Sequence, residues 1–177
     1  MDDEQVRLIV QVTARLSALA FLAALGFFAA RFRPRPQRVG DAIGLLTAFL
    51  VLHTIHFGAV GWLAVLTAGE NIRERGGWPF MMAVAAAFYL AAFGILRVWR
   101  GVASTRPVSR PEGLAAHLGV LFIAGIFLNS YAARAETRPI YWVWIVGMVL
   151  AVVAYMARTM PILGRSEASG ADHRLGG

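Results

Sequence analysis

Residues 42–68 read AIGLLTAFLVLHTIHFGAVGWLAVLTA, a run without a single charged side chain. About 20 apolar residues carry a helix across the hydrocarbon core of a bilayer, so this stretch can span with several positions to spare. It is solidly apolar and does not alternate in period two, which argues against a β-barrel strand. Gly44, Thr47, Val51, Thr54, Gly58 and Gly61 recur along it at spacings of three and four, which places them on one helix face. His53 and His56 stand three apart on another face, roughly 120–180° from the small-residue seam at 100° per residue.

Four further apolar segments surround this one, at residues 8–30, 79–99, 114–133 and 140–157. In lipid the backbone must satisfy its own polar groups, and outside closed barrels only helices do so. The expectation is therefore an all-α polytopic integral membrane bundle of about five transmembrane helices. The first segment carries the weakest signal, because Gln11, Thr13, Arg15 and Ser17 interrupt its first half. Either Arg15 snorkels outward from a full span, or residues 5–15 form an amphipathic lead-in to a short one; a full span is the expected form.

Composition agrees. The 177 residues are 58% hydrophobic and 15% charged, with a mean hydropathy of +0.62, against about half and a quarter in soluble domains. The net charge is +7 and the pI about 11.2. In a soluble domain that balance would point to nucleic acid. Here the arginines lie between apolar runs, no basic stripe with interleaved aromatics stands outside them, and no nucleic-acid partner is expected. The sequence contains neither cysteine nor lysine. Disulfides, iron–sulfur clusters, thiol redox chemistry and Cys-ligated zinc are thereby excluded, as are lysine Schiff bases and lysine-bound retinal. The acidic start, Met1-Asp2-Asp3-Glu4, does not read as the basic n-region of a cleaved signal peptide.

The arginines give a sidedness. Threading five helices places Arg31, Arg33, Arg35 and Arg38, then Arg97, Arg100, Arg106 and Arg110, then Arg158, Arg165 and Arg174 on one side. The other side receives Arg7, Arg15, Arg73, Arg75, Arg134 and Arg138, matched by as many acids. Arginine-rich connections stay in the cytoplasm. The N-terminus is therefore expected outside and the C-terminus inside, in the inner (cytoplasmic) membrane of a bacterium. Residues 1–160 read as one bundle domain. The Gly-, Ser- and Ala-rich residues 161–177 read as a flexible cytoplasmic tail.

Helices in lipid associate through close packing of small residues. The seam on residues 42–68 is expected to face a neighbour, so that Gly58→Leu should destabilise the fold. Ala83, Ala87 and Ala91, then Ala115 and Gly119, then Gly147 and Ala151 offer similar surfaces. Pro79 is expected at the first position of its helix. Asp41 and Glu112 read as helix N-terminal caps, since acids complement the dipole there. Glu70, Asn71, Arg73, Glu74 and Arg75 read as a solvated turn, and Asn129 and Tyr131 as interfacial anchors.

The candidates for chemistry are the intramembrane histidines, because polar groups in a membrane core are costly and often functional. His53, His56 and His117 form the candidate cofactor-binding set. Imidazoles from facing helices at one depth can hold a haem b iron from both sides, and three nitrogens also suit a metal ion. With residue 42 at the membrane surface His53 lies about 17 Å deep and His117 roughly 5–8 Å deep. Protrusion of the excess length of residues 42–68 into the cytoplasm would bring them level. Shared ligation requires ring nitrogens about 4 Å apart. The bland alternative is that each histidine hydrogen-bonds a carbonyl or hydroxyl of a neighbouring helix. The sequence thus leads us to expect a small multi-pass membrane protein with a histidine site for haem b or a metal and a role in electron transfer. Three alternatives stand beside it: an accessory or assembly subunit of a membrane complex; a small-solute transporter; and a membrane enzyme acting on a lipophilic substrate with a histidine base. The expected partners are the lipid bilayer and either further copies of the chain or other membrane subunits. No nucleotide-binding glycine loop, nucleophile elbow or HExxH motif is present.

Overall fold

The computed structural model describes residues 3–30, 39–73 and 76–163, with the side chains of residues 71 and 160–163 excepted. The described residues form five long helices and one short one: α1 (Asp3–Ala30), α2 (Val39–Leu66), α3 (Glu70–Arg73), α4 (Gly77–Ala103), α5 (Arg110–Ala135) and α6 (Tyr141–Leu163). There is no strand among them, and the five long helices are long and apolar enough to cross a membrane. At 1.5 Å per residue, the 28 residues of α1 form about 42 Å of continuous helix. Helix therefore runs unbroken through Gln11, Thr13, Arg15 and Ser17, and an interfacial lead-in breaking before a short span is not what the backbone adopts.

Helix ends follow local chemistry. At the start of α5 the Ser109 hydroxyl accepts from the Glu112 N–H, and the Glu112 carboxylate accepts from the Ser109 N–H at 3.2 Å. This capping box satisfies two otherwise orphaned donors, so Glu112 caps as expected. Asp41 lies in the first turn of α2, which begins at Val39. Before α4, Gly76 and Gly77 have φ of 94° and 79°, a left-handed turn that residues with a Cβ disfavour. The helix opens at Gly77, so Pro79 occupies its third position, where its missing N–H still costs nothing. The expected solvated turn at Glu70 is instead the short α3, which buries Ile72; Glu74 and Arg75 lie outside the described residues. Helix α6 continues through Pro161 to Leu163, three residues into the segment read as tail; residues 164–177 lie outside the described residues, as do Arg31, Arg33, Arg35 and Arg38.

Each long helix packs chiefly on two others, in the ring order α1–α2–α4–α5–α6 and back to α1. Aromatic rings fill the centre. Phe21 of α1, Phe49 of α2, Phe88 of α4 and Phe127 of α5 are all buried, and the Phe49 centroid lies 5.0 to 6.3 Å from the other three. Tilted pairs of this kind contribute about 0.5–1.5 kcal/mol each beyond their contact area.

The small-residue surfaces divide sharply. Gly119 of α5 is buried, and a Cβ there would sit 3.1 Å from the Ala91 carbonyl oxygen. The backbones of α4 and α5 thus approach closely where two small residues meet, as small-residue packing requires. The α2 seam does the opposite. Gly44, Thr47, Val51, Thr54 and Gly58 are exposed, and a Cβ on Gly44, Gly58 or Gly61 would meet nothing within 4 Å. Most of the seam expected against a neighbour faces away from the bundle, with Thr54 reaching the Tyr89 hydroxyl of α4 at 2.8 Å, and the histidine face, on the other side of α2, is the one that packs inward.

Candidate site: polar side chains in three tiers

Turning the seam outward carries His53 to the centre, where it is 4% exposed. Its ring stacks on Phe88 with centroids 4.0 Å apart and meets Phe57 and Phe127 edge-on. The Ser17 hydroxyl donates to the Ala14 carbonyl at 2.9 Å, which leaves its oxygen to accept from His53 Nδ1 at 3.1 Å. One turn away His56 is half-buried, its ring 5.2 Å from that of His53. Its Nδ1 donates to the Val10 carbonyl at 3.1 Å, with the Thr13 hydroxyl 3.3 Å away. Both rings of α2 are therefore oriented by α1, the first through Ser17 and the second through Val10 and Thr13. Both assignments place the ring proton on Nδ1 and the lone pair on Nε2.

His117 belongs to another tier. Its Nδ1 donates to the Gly113 carbonyl one turn back at 2.6 Å, and its Nε2 lies 2.8 Å from the Thr159 hydroxyl of α6. With the proton on Nδ1, the Nε2 lone pair faces the Thr159 hydroxyl, whose single proton also reaches the Tyr155 carbonyl at 2.8 Å. That is the lone pair a metal would need. Around it Phe28 stacks on Trp99 at 4.2 Å, and Tyr155 lies 5.5 Å from the imidazole. The Trp99 indole N–H is buried there without a hydrogen bond of good geometry.

The third tier lies towards the opposite ends of α1, α5 and α6. Half-buried Arg15 donates to the Tyr141 hydroxyl at 3.4 Å, and Tyr131 stacks on Tyr141 at 5.6 Å and packs on Trp144. The Tyr131 hydroxyl is buried without a hydrogen-bond partner among the described residues. Tyr131, expected as an interfacial anchor, is thus a core residue, whereas Asn129 is exposed.

The structure brings His53 and His56 together and leaves His117 apart. Phe127, which touches the His53 ring, stands ten positions beyond His117 on α5, about 15 Å of helix rise. That is several times the separation that ligation of one iron allows. Two rings from successive turns of one helix cannot flank a haem from opposite faces. Among the described residues no three His, Asp or Glu side chains gather to hold a metal ion. Sequence reasoning missed Ser17, Thr13 and Thr159 as histidine partners, although Ser17 and Thr13 are four apart, the spacing that places two residues on one face of α1. No family model, curated protein or solved structure matches the chain.

Proposed function

We propose that this protein is an accessory or assembly subunit of the bacterial inner membrane, in which the five-helix bundle is itself the working part. The N-terminus lies outside and the C-terminus in the cytoplasm, in accord with the excess of arginine at residues 31–38, 97–110 and 158–174. The observation that carries this reading is the engagement of all three described histidines as braces: His53 and His56 bond to α1 and His117 bonds to α6. A partner would be a second copy or another membrane subunit. Extraction in a mild detergent followed by crosslinking and size analysis tests it. An assembly larger than one chain is expected; a monodisperse single chain at native expression, with no crosslinked species, overturns it.

A second reading is favoured by one specific arrangement. A metal-ligating histidine donates its other ring N–H to a carbonyl or hydroxyl, which fixes the tautomer, and His53 and His56 both do so. On this reading His53 offers its Nε2 to a metal ion or redox cofactor, with further ligands from His56, water, substrate or a partner subunit. Metal analysis and an absorption spectrum of the purified protein separate the two readings. Stoichiometric metal, or a Soret band after haem supplementation, lost in His53→Leu and retained in His117→Leu, would favour the cofactor site over the brace.

A further inference from the structure

At the arginine-rich end of the bundle the last turns of α4 and the connection to α5 form a shallow, open cleft of about 470 Å³, lined by Arg97, Arg100, Gly101, Ser104 and Arg106. The guanidinium groups are held in place from below. Ser109 anchors Glu112 through the capping box, and the Glu112 carboxylate accepts from Arg97 at 3.3 Å and from Arg106 at 3.2 Å. Arg100 makes no ion pair with a described residue. One carboxylate against three guanidinium groups leaves a strong positive excess in one concavity. Gly101 lies beneath it: a Cβ there would stand 3.1 Å from the Arg106 guanidinium, so Arg106 folds closely over α4.

The surface below the cleft indicates what fills it. Leu90 and Phe93 are 75% and 58% exposed on α4, and Arg97 and Arg100 follow at the helical spacings of four and three. One outward stripe of α4 is therefore apolar through the membrane and cationic where it emerges. A phospholipid has this same order of chemistry, an acyl chain leading to a phosphate. We propose that the cleft is a headgroup site for an anionic phospholipid, with the phosphate between Arg97, Arg100 and Arg106 and an acyl chain along Leu90 and Phe93. Arginine suits the role because its planar fork binds phosphate oxygens in pairs, and basic pockets at helix ends on the cytoplasmic side recognise such headgroups. The proposal concerns a lipid site and does not depend on whether the bundle serves as a subunit or holds a cofactor.

The test is native mass spectrometry of the full chain in detergent, titrated with micelles containing phosphatidylglycerol or phosphatidylcholine. The wild type is expected to retain phosphatidylglycerol selectively. Each of Arg97→Gln, Arg100→Gln and Arg106→Gln should weaken that preference roughly fivefold, and all three together on the order of a hundredfold. The single variants decide the matter where the triple variant fails to fold. Arg134→Gln with Arg138→Gln, at the other end of the bundle, should change nothing. Unaltered preference in the single variants overturns the proposal. Displacement of the lipid by millimolar inorganic phosphate also overturns it, because the site would then read a free anion.

Discussion

A buried imidazole has two nitrogens to satisfy, and in lipid no water stands ready to do so. His117 has a partner at each nitrogen, the Gly113 carbonyl at one and the Thr159 hydroxyl, which also reaches the Tyr155 carbonyl, at the other. Interhelical hydrogen bonds in membrane proteins average about 0.6 kcal/mol and reach about 1.7 kcal/mol. Thr159→Val removes the α6 partner while preserving shape and should destabilise the bundle by about 1 kcal/mol, read as a shift in an SDS-unfolding titration. Combined with His117→Leu the two losses should be less than additive, since each breaks the same bond; full additivity would mean that the bond contributes nothing. Ser17→Ala should cost a similar amount, because it leaves the His53 N–H without its acceptor in a site walled by Phe49, Phe57, Phe88 and Phe127. An unchanged titration midpoint would show that the ring finds another acceptor.

At the scale of the helices, two glycines that look alike in sequence should behave in opposite ways. Gly119→Leu drives a side chain into the Ala91 carbonyl, 3.1 Å from where a Cβ would stand. Overpacking of a tight contact costs about 1–3 kcal/mol, and here the obstacle is backbone and cannot rotate aside. Gly58→Leu projects into open space and should stay within about 0.5 kcal/mol of the wild type, the reverse of what a buried seam would require. Thermal stability of both variants in detergent checks the pair; equal losses would mean that α2 is turned about its axis relative to the structure. The contrast also marks how far the sequence could be read. Helix number, approximate ends and the Glu112 cap follow from length, hydropathy and local chemistry, all of which act within one segment. The rotation of α2 does not. Its seam and its histidines both ask for a protein neighbour, and a single helix carries no information about which face its ring partners cover. The same gap hid the site. Residues 53 and 56 are visibly paired in sequence, but their separation from His117 depends on the relative depth of α2 and α5, which is set by the packing of Phe49, Phe88 and Phe127 around His53.

For the whole molecule the question is which end of the ring faces the cytoplasm. The contacts fix which helix ends lie together: Phe28, Trp99, Tyr155 and His117 meet in one tier, so the C-terminal halves of α1, α4 and α6 share an end with the N-terminal half of α5. Residues 31–38, which join α1 to α2, leave from that same end. Geometry alone allows either orientation in a bilayer, and the proposed one rests on the arginine distribution. The chain contains no cysteine, so single cysteines introduced at chosen positions report without background. Gln37→Cys and Ser104→Cys should react with a membrane-impermeant maleimide only after the cells are permeabilised. Glu70→Cys and Thr137→Cys should react in intact cells. Asp3→Cys should join the second pair, because α1 runs unbroken from Asp3 to Ala30 and must deliver its N-terminus to the opposite face. Labelling of positions 37 and 104 from opposite sides would break the threading itself. Labelling of position 3 together with them would remove α1 from the set of spanning helices while leaving the other four in place.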